Sequence, residues 1–153
     1  IEMERDVLTT TDIIKKDWGL LTASIIFRKE AHKTPDWYYT VKNGDYALQL
    51  IVSLSGKIKF LPDYMAVYRQ HLGGVSSTLK PLNQTAWMVY LLHKFNTYTK
   101  GSYKRTIIER IKRMYKIQIY YAKGYSLRKA ATVLSLYQKL VFLNPFLIKS
   151  RRK

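Results

Sequence analysis

The chain has 153 residues and a formal charge of +17, with 47% hydrophobic and 14% aromatic residues. That composition can fill one folded core and excludes a disordered polyelectrolyte. It has no cysteine, so disulfides and thiolate zinc sites are excluded, and the spacing of His32, His71 and His93 fits no simple metal motif.

In chain order, residues 7–17 are expected to form a short helix capped by Thr10 or Thr11, with Leu8, Ile13 and Ile14 as its apolar stripe. Thr22 to Arg28 is β-branched and apolar, the pattern of a buried strand. The aromatic stretch Pro35 to Thr40 follows as an irregular segment. Asp45 opens a helix over Tyr46–Leu54 that is apolar almost all round, hence buried on most sides, and Gly56 stands where a left-handed stop is expected. Residues 57–61 and 64–69 are expected as short strands around Pro62-Asp63, before a glycine-bearing loop at 71–77.

From Asn83 the apolar period becomes that of a helix. Asn83 is a candidate N-cap for a helix carrying Trp87, Tyr90, Leu91, Phe95 and Tyr98, ended by Lys100-Gly101-Ser102. A second helix is predicted over 103–122, with Ile107, Ile108, Ile111, Met114, Tyr115 and Ile119 on one side. Gly124 stops it, and Ser126 caps a third with Leu127, Ala130, Leu134 and Val141. Short connections suit antiparallel packing of the three. No charged-then-apolar leader follows Ile1, and the apolar run from Leu140 to Ile148 is broken at Asn144, far short of the ~20 residues of a membrane span. Neither a signal peptide nor a transmembrane helix is expected.

Several short pieces then occur in one order: Thr22-Ala23-Ser24-Ile25-Ile26-Phe27-Arg28-Lys29, Trp37, Gly44-Asp45 with Leu48, and Gly56-Lys57-Ile58. Phe60-Leu61, Ala66-Val67-Tyr68-Arg69-Gln70-His71 and Gly74-Val75-Ser76 complete the set. Together they resemble the second half of the catalytic domain of a family-2 glycosyltransferase, an inverting enzyme of the GT-A fold. The resemblance implies an α/β fold: residues 1–80 as the acceptor-side, C-terminal part of the Rossmann-like GT-A sheet domain, and 81–153 as a basic α-helical extension.

It also implies roles. Asp45 would be the general base that takes the proton from an acceptor hydroxyl, and a helix N-terminus favours and aims such an anion. Where the family often has an acid before this Asp, the chain has Gly44. Arg69, His71, Gly74 and Ser76 would lie on the donor-diphosphate side, with His71 a candidate metal ligand, because a cation and loop N–H groups stabilise charge developing there. Trp37, beside Tyr38 and Tyr39, would contact the acceptor sugar. Plainer readings stand beside each: a turn and N-cap at Asn43-Gly44-Asp45, a surface histidine at 71, a flexible Gly73-Gly74 turn, and core filling by Trp37.

The family's Asp-X-Asp motif, which holds Mg2+ or Mn2+ on the donor diphosphate, is absent, as are the βαβ units that seat the nucleotide. The expectation is therefore a further domain's worth of residues before Ile1 in the parent enzyme, a divalent metal for that enzyme, and no activity or metal binding by this segment alone. The implied reaction moves a sugar from a nucleotide-diphosphate sugar to a glycan or lipid-linked acceptor in polysaccharide or glycolipid assembly.

Charge adds a partner. Residues 1–100 hold 13 Lys/Arg against 9 Asp/Glu, whereas residues 101–153 hold 14 against 1. Cations interleaved with apolar residues over 103–153 suit peripheral contact with an anionic membrane, on the cytoplasmic face of the cell membrane. A solvated basic face, a structural helical adaptor, and a basic module binding membrane or nucleic acid without catalysis are the competing readings. The absence of a nucleic-acid-binding motif argues against the last partner.

Overall fold

The computed structural model describes residues 7–15, 22–61, 63, 67 and 81–122. The chain divides into two compact units, Ile1–Arg110 and Ile111–Lys153. In the first, the described elements in order are strand β1 (Val7–Leu8), helix α1 (Thr10–Lys15), three short 3-10 helices (Thr22–Ser24, Lys29–Ala31, Asp36–Thr40), helix α2 (Gly44–Ser53), strand β2 (Ile58–Lys59) and helix α3 (Pro81–Tyr98). Helix α4, Lys104–Ala122, begins in the first unit and runs on into the second.

Helix α1 begins at Thr10 rather than at residue 7, and Thr9, not Thr10 or Thr11, caps it. The Thr9 amide and hydroxyl both donate to Asp12 Oδ2, at 2.9 and 2.6 Å, and the Asp12 amide donates back to Thr9 Oγ1 at 3.4 Å. This reciprocal arrangement is a capping box with Asp at its third position. Thr10 is buried and its hydroxyl donates to the Ser53 carbonyl at 2.9 Å, tying the start of α1 to the end of α2. Val7 and Leu8 lie in an antiparallel pair with Lys59 and Ile58. Leu8 is thus buried from a strand, through a partner fifty residues away that no local pattern reveals.

The core of this unit collects Leu8, Ile13, Ile14, Ala47, Leu50, Ile51, Leu91, Leu92 and Phe95. Ile13, Ile14, Leu50 and Phe95 are wholly enclosed, each contributing about 1.5–3 kcal/mol relative to exposure. Helix α2 carries the middle of this core. Its Tyr46, Ala47, Gln49, Leu50, Ile51 and Ser53 are all buried, with α1 on one side and α3 on another. Its two buried hydroxyl groups are bonded to carbonyls: Tyr46 donates to Ile13 O and Ser53 to Leu50 O, both at 2.8 Å. Gly56 does not supply a left-handed stop. Leu54 and Ser55 donate to Ile51 and Val52, tightening the last turn instead.

Thr22–Arg28 differs from the expected buried strand. Thr22–Ser24 winds into a 3-10 helix, Ile25–Arg28 pairs with no strand among the described residues, and Ile26 is 85% exposed. The reason is physical: β-branched residues fit a pleated surface, but a strand exists only where a partner takes its hydrogen bonds. The expected strand at 64–69, the loop at 71–77 and the third helix from Ser126 lie outside the described residues.

Helix α3 starts at Pro81, two residues before the expected cap. Proline suits a first helical position, where its missing N–H would be unpaired anyway. Its buried residues are Val89, Leu91, Leu92 and Phe95, while Tyr90 and Tyr98 stay partly open, as amphipathic rings often do. The helix closes in a Schellman turn: Gly101 N–H donates to Asn96 O at 2.8 Å and Lys100 N–H to Thr97 O at 3.1 Å, with Lys100 at φ 52° and Gly101 at φ 82°. Ser102 Oγ adds a bond to Thr99 O, and Phe95 meets Tyr103 at 5.8 Å as α4 begins.

Candidate functional site

Asp45 stands in the first turn of α2, exposed, on a helix whose following turns are buried. Its Oδ1 accepts the Tyr46 N–H at 2.8 Å. A first-turn amide lacks an intrahelical partner, so this bond satisfies the donor and steadies the carboxylate. The Asn43 carbonyl accepts the Ala47 N–H at 2.9 Å, but the Asn43 side chain does not cap the helix, and its Oδ1 is buried with no partner among the described residues. Asn43 occupies the cap position, and the Asp45 carboxylate, two residues further, is exposed.

A row of aromatic rings leads to this turn. Phe27 meets His32 edge-on at 5.9 Å, His32 meets Tyr38 at 6.3 Å, and Tyr38 meets Tyr39 at 5.5 Å with planes at 89°. These are the T-shaped arrangements that ring quadrupoles favour. His32 is further held by its Nε2, 3.0 Å from Thr34 Oγ1. The Tyr38 hydroxyl ends against Gly44, lying 3.6 Å from where a Cβ there would sit. An alanine would fit, but a longer acidic side chain at 44 would have to share space with that hydroxyl. Tyr39, at the end of the row, is 79% exposed.

Trp37 turns elsewhere. The 3-10 helix Asp36–Thr40, entered at Pro35, is tightened by Tyr38 N–H to Pro35 O and by Thr40 Oγ1 to Trp37 O. Trp37 is half-buried, its ring edge-on to Tyr98 of α3 at 6.0 Å. Its Nε1 is enclosed with no hydrogen-bond partner among the described residues. Tyr90 joins the same junction by donating to Thr40 Oγ1 at 3.4 Å. The Lys94 ammonium lies 5.3 Å from the Tyr90 ring centroid. His93 is pushed below its ordinary value by desolvation first and by the neighbouring Lys94 charge second.

Asp45 and the aromatic stretch are thus brought together through Tyr38 and Gly44, whereas Arg69, His71, Gly74 and Ser76 lie outside the described residues. Phe27 and His32 were not singled out by sequence reasoning. Their spacing to Tyr38 follows no helix or strand period, so only the fold reveals the row. Among the described residues no three of His, Asp and Glu gather as metal ligands. What the turn presents is an exposed carboxylate next to a row of aromatic rings. No described helix is long and apolar enough to cross a membrane. Compared with protein families, with characterised proteins and with solved structures, the chain matches none.

Proposed function

We propose that this chain is the acceptor-side, C-terminal part of the GT-A domain of an inverting family-2 glycosyltransferase, with Asp45 as its general base. The observation that carries the reading is the exposed Asp45 carboxylate on the first turn of an otherwise buried helix, with the aromatic row reaching the adjacent Gly44. The motif order from Thr22 to Ser76 supports it independently. So does the unpaired apolar segment around Ile26, which suits a sheet whose other strands lie elsewhere in the parent enzyme.

In this reading an acceptor sugar packs its C–H face on the open Tyr39 ring, with Trp37 sharing the contact through its exposed part. Asp45 takes the proton of the acceptor hydroxyl as the oxygen bonds to the anomeric carbon of the donor. The bond from that carbon to the diphosphate breaks on the opposite face, so configuration inverts and the leaving nucleoside diphosphate takes the electron pair. Arg69, His71 and the loop with Gly74 and Ser76 would offset the diphosphate charge. A divalent ion, when bound in the parent enzyme, supplies further charge neutralisation there. The setting would be polysaccharide or glycolipid assembly at the cytoplasmic face of a membrane.

The test is Asp45→Asn in the enzyme that contains this segment. Asparagine still accepts the Tyr46 N–H, so the thermal midpoint should move little. Turnover should fall by about 10²–10⁴, as for loss of a general base, while donor binding is unchanged. Turnover within a few-fold of wild type would sink the assignment.

A further inference from the structure

The second unit, residues 111–153, contains eleven Lys/Arg and not one Asp or Glu. Along α4, Lys112 and Lys116 are one turn apart, as are Arg113 and Ile117, so the four share one side of the helix. All four are exposed, and Ile117 is 40% open. Tyr115 is buried, and Ile111 and Met114 are half-buried, on the other side.

A helix face of this kind has two layers, ammonium and guanidinium groups beside an exposed branched apolar side chain. Like charges one turn apart destabilise an isolated helix, and an anionic surface removes that repulsion. We infer that the face formed by Lys112, Arg113, Lys116 and Ile117 binds an anionic lipid surface, with the cations at headgroup level and Ile117 entering the acyl boundary. Charge complementarity selects an anionic partner. The apolar rim selects lipid over nucleic acid, because a phosphodiester backbone offers Ile117 nothing to pack on, whereas the headgroup boundary offers both layers. The inference does not depend on the role of Asp45.

The test is flotation of the full 153-residue chain with phosphatidylcholine vesicles, with and without phosphatidylglycerol, and with a short DNA duplex as competitor. The chain should float only with the anionic vesicles and leave them as salt is raised. Lys112→Gln with Lys116→Gln should weaken partitioning about 30-fold, whereas Lys33→Gln with Lys42→Gln, an exposed pair in the first unit, should change it less than about threefold. Ile117→Ser should weaken it several-fold with no change in salt dependence. Unchanged circular dichroism shows that each variant is folded. The inference is overturned if both double variants lose binding equally, since bulk charge then explains it. Equal flotation with neutral vesicles, or transfer of the chain to duplex DNA, overturns it as well.

Discussion

The turn between α3 and α4 permits a substitution whose effect isolates backbone conformation from packing. Gly101 sits at φ 82° and a Cβ placed on it meets nothing within 4 Å. Gly101→Ala therefore clashes with no neighbour, and its whole penalty is torsional. A left-handed conformation costs an L-residue roughly 1–2 kcal/mol. The alanine also narrows the unfolded ensemble, which returns about 0.4–1 kcal/mol. The balance is a destabilisation of about 0.5–1 kcal/mol, or a fall of roughly 1–4 °C in midpoint for a chain of this size. Lys100 provides the counter-test, being a non-glycine residue at φ 52°. Lys100→Gly relieves the same strain, loses the same unfolded-state term and removes a cation from the negative end of α3, an effect of about 0.3–1 kcal/mol. The terms nearly cancel, so it should be close to neutral, within about 0.5 kcal/mol of wild type. Urea unfolding followed by circular dichroism measures both. If Gly101→Ala left stability unchanged or raised it, the left-handed turn and the Schellman bonds built on it would be refuted.

Three further outcomes are expected. Thr9→Ala removes one half of the capping box and should cost about 1 kcal/mol, read as a lower urea midpoint with an unchanged slope. Tyr46→Phe deletes the bond to Ile13 O inside the core and should cost about 1–2 kcal/mol, because the carbonyl is left buried without its donor. His93 has its pKa lowered in the folded protein, so below its ordinary value of about 6.5 the unfolded chain binds the proton more readily and stability falls as pH falls. His93→Gln should flatten that part of the midpoint-against-pH curve, and an unaltered curve would show that His93 does not set it.

Much of what matters here is local and therefore legible in the chain. Residues 44–53 form a buried helix because nearly every position there is apolar or small, and the basic, 3.6-period stretch after Tyr103 forms α4 for the same kind of reason. The motif order that suggested a glycosyltransferase, and the concentration of charge after residue 100, are likewise properties of sequence alone. Other features required the third dimension. Leu8 entered a strand because Ile58 was there to pair with it, and Thr22–Arg28 did not, because pairing is decided by a partner and not by β-propensity. Thr9 rather than its neighbours became the cap because Thr10 found the Ser53 carbonyl. Trp37 turned toward Tyr98 while Tyr39 was left open, and Tyr38 came to rest on Gly44 beside Asp45, a contact between residues six apart that no period encodes. Sequence pattern marked the helical segments at 44–53 and 104–122 and the residues proposed to carry chemistry. Tertiary structure decided which of them meet, because hydrogen-bond partners and ring contacts are properties of pairs that the chain brings together only when it folds.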